Sequence, residues 1–142
     1  MKIKILLVDD EKEFIDTLSE RLEIREFDVS VAYSGEAAIK LMKDHDFDVV
    51  VLDVVMPGMD GIETLKRMKE LTPLTQVIML TGNATVDNAI LGMKNGAYDF
   101  LLKPVETRAF VKKINAAFDI KNAQHKRIAI AKIEDIVNRR GW

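Results

Sequence analysis

The run Val49-Val50-Val51-Leu52 constrains this chain more than any other stretch. Four consecutive apolar residues, three of them β-branched, are too few for a buried helix and show no polar alternation. They read as a strand buried on both faces, and such strands belong to parallel sheets covered on each side by helices. The run ends on Asp53, so a carboxylate stands at the rim of that sheet. Val54-Val55-Met56-Pro57-Gly58-Met59-Asp60-Gly61 follows, with Pro57-Gly58 as a turn signal. Asp53 therefore lies on a strand-to-loop junction, where functional groups gather in open α/β sheets. The competing reading is a carboxylate that merely caps the loop.

The rest of the chain alternates between two periods. Lys2 to Val8 is an apolar strand ending in Asp9-Asp10-Glu11. Phe14, Ile15, Leu18, Leu22 and Ile24 then recur at helical spacing. Phe27 to Ala32 alternates as a half-buried strand does. Ser34 is the expected N-cap of a helix whose inner face is Ala37, Ala38, Leu41 and Met42. After the central strand, Asp60 with Glu63 makes a capping-box pattern, and Ile62, Leu65, Met68 and Leu71 supply the inner face. Gln76 to Leu80 is a further strand, ending in Thr81-Gly82-Asn83. A helix from Ala84 or Thr85 runs to about Asn95 and stops at Gly96. Tyr98 to Leu102 is the last strand, ending in Lys103-Pro104, and Glu106 onward is helical. Five strands alternating with five helices predict a doubly wound parallel sheet, α/β in class, with right-handed crossovers.

Composition removes several chemistries. The 142 residues contain no cysteine and two histidines, so thiol nucleophiles, thiolate metal sites and disulfide frameworks are excluded. No segment approaches the roughly 18 apolar residues that span a bilayer. Neither membrane insertion nor secretion is expected, and a cytoplasmic protein is the simplest reading. Charge is divided unevenly. Lys121 to Trp142 carries six basic and two acidic residues, a net +4, against −6 on the first 120 residues.

The polar residues that end the strands define the chemistry. Asp9 and Asp10 follow strand 1, Asp53 the third, Thr81 the fourth and Lys103 the fifth. In a doubly wound sheet these ends share one edge. Three converging carboxylates repel, and a divalent cation resolves the repulsion. All-oxygen ligation of this kind suits Mg²⁺. Lys103 supplies an opposing cation, Thr81 a hydroxyl donor, and Gly82 room for a ligand. A carboxylate nucleophile with Mg²⁺, lysine and hydroxyl is the equipment of phosphoryl transfer, and an aspartate can take the group as an acyl phosphate.

With these residues in place, the chain resembles the receiver domain of two-component response regulators. The matching motifs are Leu6-Leu7-Val8-Asp9-Asp10-Glu11, Val51-Leu52-Asp53 through Pro57-Gly58-Met59-Asp60-Gly61, Met79-Leu80-Thr81-Gly82, and Gly96-Ala97-Tyr98-Asp99-Phe100-Leu101-Leu102-Lys103-Pro104. The resemblance covers about residues 2–120. It implies a flavodoxin-like fold with sheet order 2-1-3-4-5 and a cis Lys103–Pro104 bond. It further implies that Asp53 is the phosphoacceptor. Asp10 and Asp53 would coordinate Mg²⁺, with Asp9 acting directly or through water and the Val55 backbone carbonyl completing the set. Thr81 and Lys103 would hold the phosphoryl oxygens. Thr81 and Phe100 would form the switch, here with an aromatic that has no hydroxyl. Val55 and Asn83 occupy positions that tune hydrolysis. A sensor histidine kinase or histidine phosphotransfer protein would be the donor, and a downstream protein of unidentified kind the target. Activity would be limited to self-phosphorylation and self-dephosphorylation.

A receiver domain over 1–120 leaves 121–142 as a basic helical extension. Ile114, Ala117 and Phe118 are the expected inner face of the last helix. Ile120, Ala123, Ile130, Ile133 and Val137 carry an apolar stripe onward, which calls for a homodimer contact, a partner helix or folding back onto the domain. The basic cluster is small and lacks interleaved aromatics, which argues against nucleic acid. The competing readings are a receiver excised from a longer transcriptional regulator, an aspartyl-phosphate phosphatase, and a scaffold with a vestigial acidic site, against which the intact acid pair, Thr81 and Lys103 count. The second is disfavoured because haloacid-dehalogenase-type phosphatases need an acid where this chain has Val55.

Overall fold

The computed structural model describes residues 2–54, 60–82 and 86–139, without the side chains of Thr81 and Val86. Its elements are β1 (Lys4–Val8), α1 (Lys12–Ile24), β2 (Asp28–Ala32), α2 (Gly35–Asp44), β3 (Val49–Leu52), α3 (Gly61–Leu71), β4 (Gln76–Thr81), α4 (Val86–Lys94), β5 (Asp99–Leu102) and α5 (Thr107–Arg139). The five strands form one parallel sheet in the order β2-β1-β3-β4-β5, as the resemblance implies.

All four residues of β3 are buried, and they divide by side. Val50 and Leu52 join Leu6, Val8, Val77 and Met79 beneath α2 and α3, where Ala38, Ile39, Met42, Leu65 and Met68 cover them. Val49 and Val51 join Ile5, Leu7, Ile78 and Leu80 on the other side. There Ile15, Leu18 and Leu22 of α1 and Phe110, Ile114 and Ala117 of α5 close the core. An uninterrupted valine run is what a strand sandwiched this way requires.

Local signals set the helix ends. The Ser34 hydroxyl accepts from the Ala37 N–H, and the Asp60 carboxylate from the Glu63 N–H. Glu63 does not return the bond expected of a capping box; its carboxylate pairs with Arg67 at 3.3 Å. Gly96 adopts φ +99° just past α4. Several inner-face assignments shift by one position. Ile24 is 79% exposed, because it lies beyond the Ile15–Leu18–Leu22 line. Ala37 and Leu71 are exposed, while Ile39 is buried. Phe118 is only half-buried, and Phe110 takes the deep position on α5.

The strand register decides which side chains meet at the carboxyl edge. Val8 pairs with Leu52, so Asp9 and Asp53 emerge side by side from adjacent strands. The Asp53 N–H donates to the Val8 carbonyl at 3.0 Å and the Asp9 N–H to Ala32 at 3.1 Å, which extends the ladder one residue past each strand. Thr81 pairs with Leu102, so Lys103 lies next along the same edge.

Candidate functional site

Gly61 shows how tightly this edge is built. A Cβ there would sit 2.5 Å from both the Cα and the carbonyl oxygen of Val54, and 2.6 Å from the Asp53 carbonyl oxygen. The Gly61 N–H donates to Val54 at 3.0 Å. The first residue of α3 therefore rests directly on the backbone that carries Asp53, and only glycine permits that approach.

Asp9 and Asp53 are both buried, at 1% and 4% exposure, while Asp10 is exposed. Carboxylate oxygens of Asp9, Asp10 and Asp53 all lie within 4.8 Å of one another. Even at that outer separation, two unit charges repel by about 3 kcal/mol at an effective dielectric constant near 20. Burial raises the Asp9 carboxyl above its ordinary value, and the Asp53 charge adds to the rise. The Lys103 and Glu11 hydrogen bonds oppose it.

Lys103 is the cation that answers this cluster. Its Nζ lies 2.7 Å from Asp9 Oδ2, 2.8 Å from Glu11 Oε1 and 3.6 Å from Asp53 Oδ2. Burial works against its charge, but the Asp9 and Glu11 hydrogen bonds and the Asp53 charge outweigh it, so the ammonium is held above its ordinary value. The Phe14 ring packs 4.5 Å beneath it. The Lys103–Pro104 bond is cis.

Sequence reasoning misses Glu11, Phe14 and the approach of Gly61. Glu11 reads from sequence as part of a helix start. It is the N-cap of α1, yet no side chain caps that helix: the Glu11 N–H donates to Asp9 Oδ1 at 2.9 Å, which leaves the Glu11 carboxylate free to reach Lys103. Its place two residues after Asp9, in the same turn, is the available signal. Phe14 reads as core by its spacing and is half-buried, with its ring shared between core and lysine.

Among the other expected site residues, Phe100 is half-buried against the α2–α3 side of the core and pairs in register with Met79. Gly82 is exposed, and a Cβ there would make ordinary contact, 3.8 Å from Lys103 Cδ, so packing does not demand glycine. Val55, Asn83 and the Thr81 side chain lie outside the described residues.

The donor set suits a hard divalent cation. It consists of oxygens only, two of the carboxylates are buried, and among the described residues a single lysine faces them. No helix among the described residues is long and apolar enough to cross a membrane.

Comparison with known proteins agrees with this fold. The family described as response regulator receiver domain matches residues 5–115. The transcriptional regulatory protein CpxR of Escherichia coli K12 is 45% identical over 113 residues, which cover 80% of this chain and 48% of that protein. The chain spans about half the length of the curated relatives it matches. Two solved receiver domains superpose closely. One, from Clostridium thermocellum, has a TM-score of 0.81 and 36% identity, covering 86% of this chain and 98% of that one. The CheY-like receiver from Methanospirillum hungatei JF-1 has a TM-score of 0.84 and 27% identity, covering 87% and 99%.

Proposed function

We propose how this chain, which belongs to the response regulator receiver domain family of two-component signalling, works as a switch: Asp53 takes a phosphoryl group and the carboxyl edge of the sheet rearranges around it. A buried carboxylate 3.6 Å from a lysine, with two further carboxylates within 4.8 Å, carries this reading. An Asp53 oxygen attacks the phosphorus of a phosphohistidine. The phosphorus–nitrogen bond breaks, its electron pair stays on the departing imidazole, and an acyl phosphate forms on Asp53. Lys103, already between Asp9 and Asp53, swings onto the phosphoryl oxygens, and the Thr81 hydroxyl donates to them. Asp9, Asp10 and Asp53 would hold Mg²⁺, with the Val55 carbonyl, and the ion would supply positive charge to the phosphoryl oxygens. Water then hydrolyses the acyl phosphate.

The switch couples Thr81 to Phe100. Inward movement of the hydroxyl frees space for the half-buried ring, which has no hydroxyl of its own and responds through packing alone. Val55 and Asn83 occupy the two sequence positions that tune hydrolysis in the family. An apolar Val55 cannot orient an attacking water, so the phosphoryl group should persist. A half-life of seconds, read by intact mass after removal of the donor, would count against this.

The donor is a histidine kinase or phosphotransfer protein, the target a downstream protein, and the place of action the cytoplasm, where such donors meet their receivers. The receiver unit is residues 1–120, and residues 121–142 form a basic extension that self-associates. The likeness to CpxR covers 48% of that protein, and residues 5–115 of this chain match a receiver domain, so the likeness lends no support to DNA contact by this chain.

Incubation with acetyl phosphate and Mg²⁺ tests the centre of this reading by intact mass. One adduct of about 80 Da is expected. It should disappear without Mg²⁺ and in Asp53→Asn. An adduct that survives in Asp53→Asn would place the chemistry on another residue.

A further inference from the structure

Helix α5 is one continuous helix with two environments, buried at its start and exposed at its end. Phe110, Ile114 and Ala117 are fully buried against the sheet. The last side-chain anchors are Lys121 Nζ, 2.7 Å from Asp48 Oδ1, and Gln124, 3.5 Å from Gln76. Both lie at the amino edge of the sheet, opposite the acidic site. From His125 to Arg139 the helix projects alone for roughly 22 Å at 1.5 Å per residue. Ile130, Ile133 and Ile136 are 55%, 61% and 44% exposed. An unsupported helix of this length is marginal in water.

The projecting apolar face does not continue the domain-facing one. At about 100° per residue, the line through Phe110, Ala117 and Gln124 passes on to Ile128. Ile130, Ile133, Ile136 and Val137 centre about 150° further round the helix. With no proline or glycine from Thr107 to Arg139, the helix cannot turn this face back onto the sheet. The spacing is that of a coiled-coil seam. Ala123, Ile130 and Val137 recur every seven residues, and Lys126 and Ile133 occupy the alternate seam position.

Charge selects the occupant. In a parallel, in-register pair, Lys126 would face Lys126 of the second copy inside the seam, and Asn122 and Ala129 would flank Arg127 and Glu134 with no attractive pair. In an antiparallel pair centred between Ala131 and Lys132, Ile130 faces Ile133 of the second copy and Lys126 faces its Val137. Arg127 then lies against Glu134 of the second copy, twice by symmetry. The pattern is self-complementary, as a two-fold interface requires. We propose that residues 125–139 bind the same segment of a second copy as an antiparallel helical pair, with Arg127 and Glu134 setting the direction and the two domains at opposite ends. This gives a geometry to the self-association of the basic extension and rests on that reading alone, not on the phosphoryl chemistry.

The chain contains no cysteine, so cross-linking can read the direction. An oxidised mixture of Lys126→Cys and Val137→Cys chains should yield the mixed dimer. Neither variant alone should cross-link, because like positions would be roughly 16 Å apart along the axis. Self-cross-linking of each variant would overturn the antiparallel assignment. Sedimentation should show a concentration-dependent dimer that Ile133→Lys abolishes. Arg127→Glu should weaken it roughly tenfold, and Arg127→Glu with Glu134→Arg should restore it. A wild-type chain that stays monomeric at millimolar concentration, or a dimer indifferent to Ile133→Lys, would refute the proposal. The same dimer in Asp53→Asn would show that pairing stands whatever becomes of the phosphoryl reading.

Discussion

At the amino edge of the sheet Asp48 meets one lysine; at the carboxyl edge one lysine meets three carboxylates. Asp48 accepts from Lys121 Nζ at 2.7 Å and from the Lys4 N–H at 2.9 Å. Lys103 is shared among Asp9, Glu11 and Asp53, and Asp10 adds a further negative charge nearby. The first arrangement is balanced and ties α5 to the sheet. The second holds more buried negative charge than its cation can neutralise, so it is stabilised by whatever positive charge or proton arrives. Structural and functional ion pairs use the same residue types, and stoichiometry separates them.

The contrast breaks most directly if paired substitutions fail to act with opposite sign. Lys121→Met strands the part-buried Asp48 and should cost about 1 kcal/mol, between the values for exposed and buried pairs, with phosphorylation unchanged. Asp9→Asn relieves repulsion and should stabilise the metal-free chain at neutral pH. It should also remove the response to Mg²⁺, which for the unaltered chain is about 2.7 kcal/mol at a hundredfold excess over Kd. The pH dependence comes from the raised Asp9 carboxyl. It binds its proton more tightly when folded, so its stabilising contribution is full below the ordinary 3.8. That contribution is lost as pH rises through the higher folded value. Urea unfolding in EDTA should trace this decline in the unaltered chain and a flatter curve in Asp9→Asn. A metal-free chain destabilised at neutral pH by Asp9→Asn would mean that Asp9 is as structural as Asp48.

Gly61→Ala tests whether the rim is rigid. Alanine is a better helix former than glycine by about 1 kcal/mol, so propensity alone predicts stabilisation. Contact with the Val54 and Asp53 backbone predicts the reverse, a net loss of about 2 kcal/mol together with slower phosphorylation as Asp53 is displaced. Unfolding and phosphorylation rates measured on the same variant decide it. A stabilised variant would show that the rim yields.

These residues also mark what can be read from sequence. Asp9, Asp53 and Lys103 are legible because each ends an apolar run, and a parallel sheet brings such ends together whatever their separation in the chain. The sheet order comes with the family resemblance, and periodicity alone indicates only alternation. Gly61 appears merely as part of a motif, because the closeness of α3 to the Asp53 backbone is a tertiary fact. The stripe from Ile120 to Val137 reads in sequence as one face continuing from Ile114 and Ala117. The rotation between the two faces emerges only once the packed residues fix which side of α5 meets the sheet. Glu11 is hidden for a similar reason, since its partner is 92 residues away and reaches it only through a long side chain.

Glu11 gives the smallest and most discriminating test of the carboxyl edge. Its side chain is 61% exposed, so its pair with Lys103 is worth at most about 1 kcal/mol. On the proposed reading, Lys103 leaves this contact as it moves onto a phosphoryl group on Asp53. Glu11→Gln removes one of the charges that hold it back, while Asp9 and Asp53 still keep the ammonium charged. Phosphorylation by acetyl phosphate at saturating Mg²⁺ should then speed up roughly twofold to fivefold, the rate equivalent of that energy. Mg²⁺ affinity, titrated separately, should hardly change, because on the proposed reading the three aspartates would supply the ligands. Were Glu11 instead part of the cation site, the same substitution would weaken Mg²⁺ binding and slow the reaction. The sign of the rate change therefore tells whether the fourth carboxylate restrains the lysine or serves the metal.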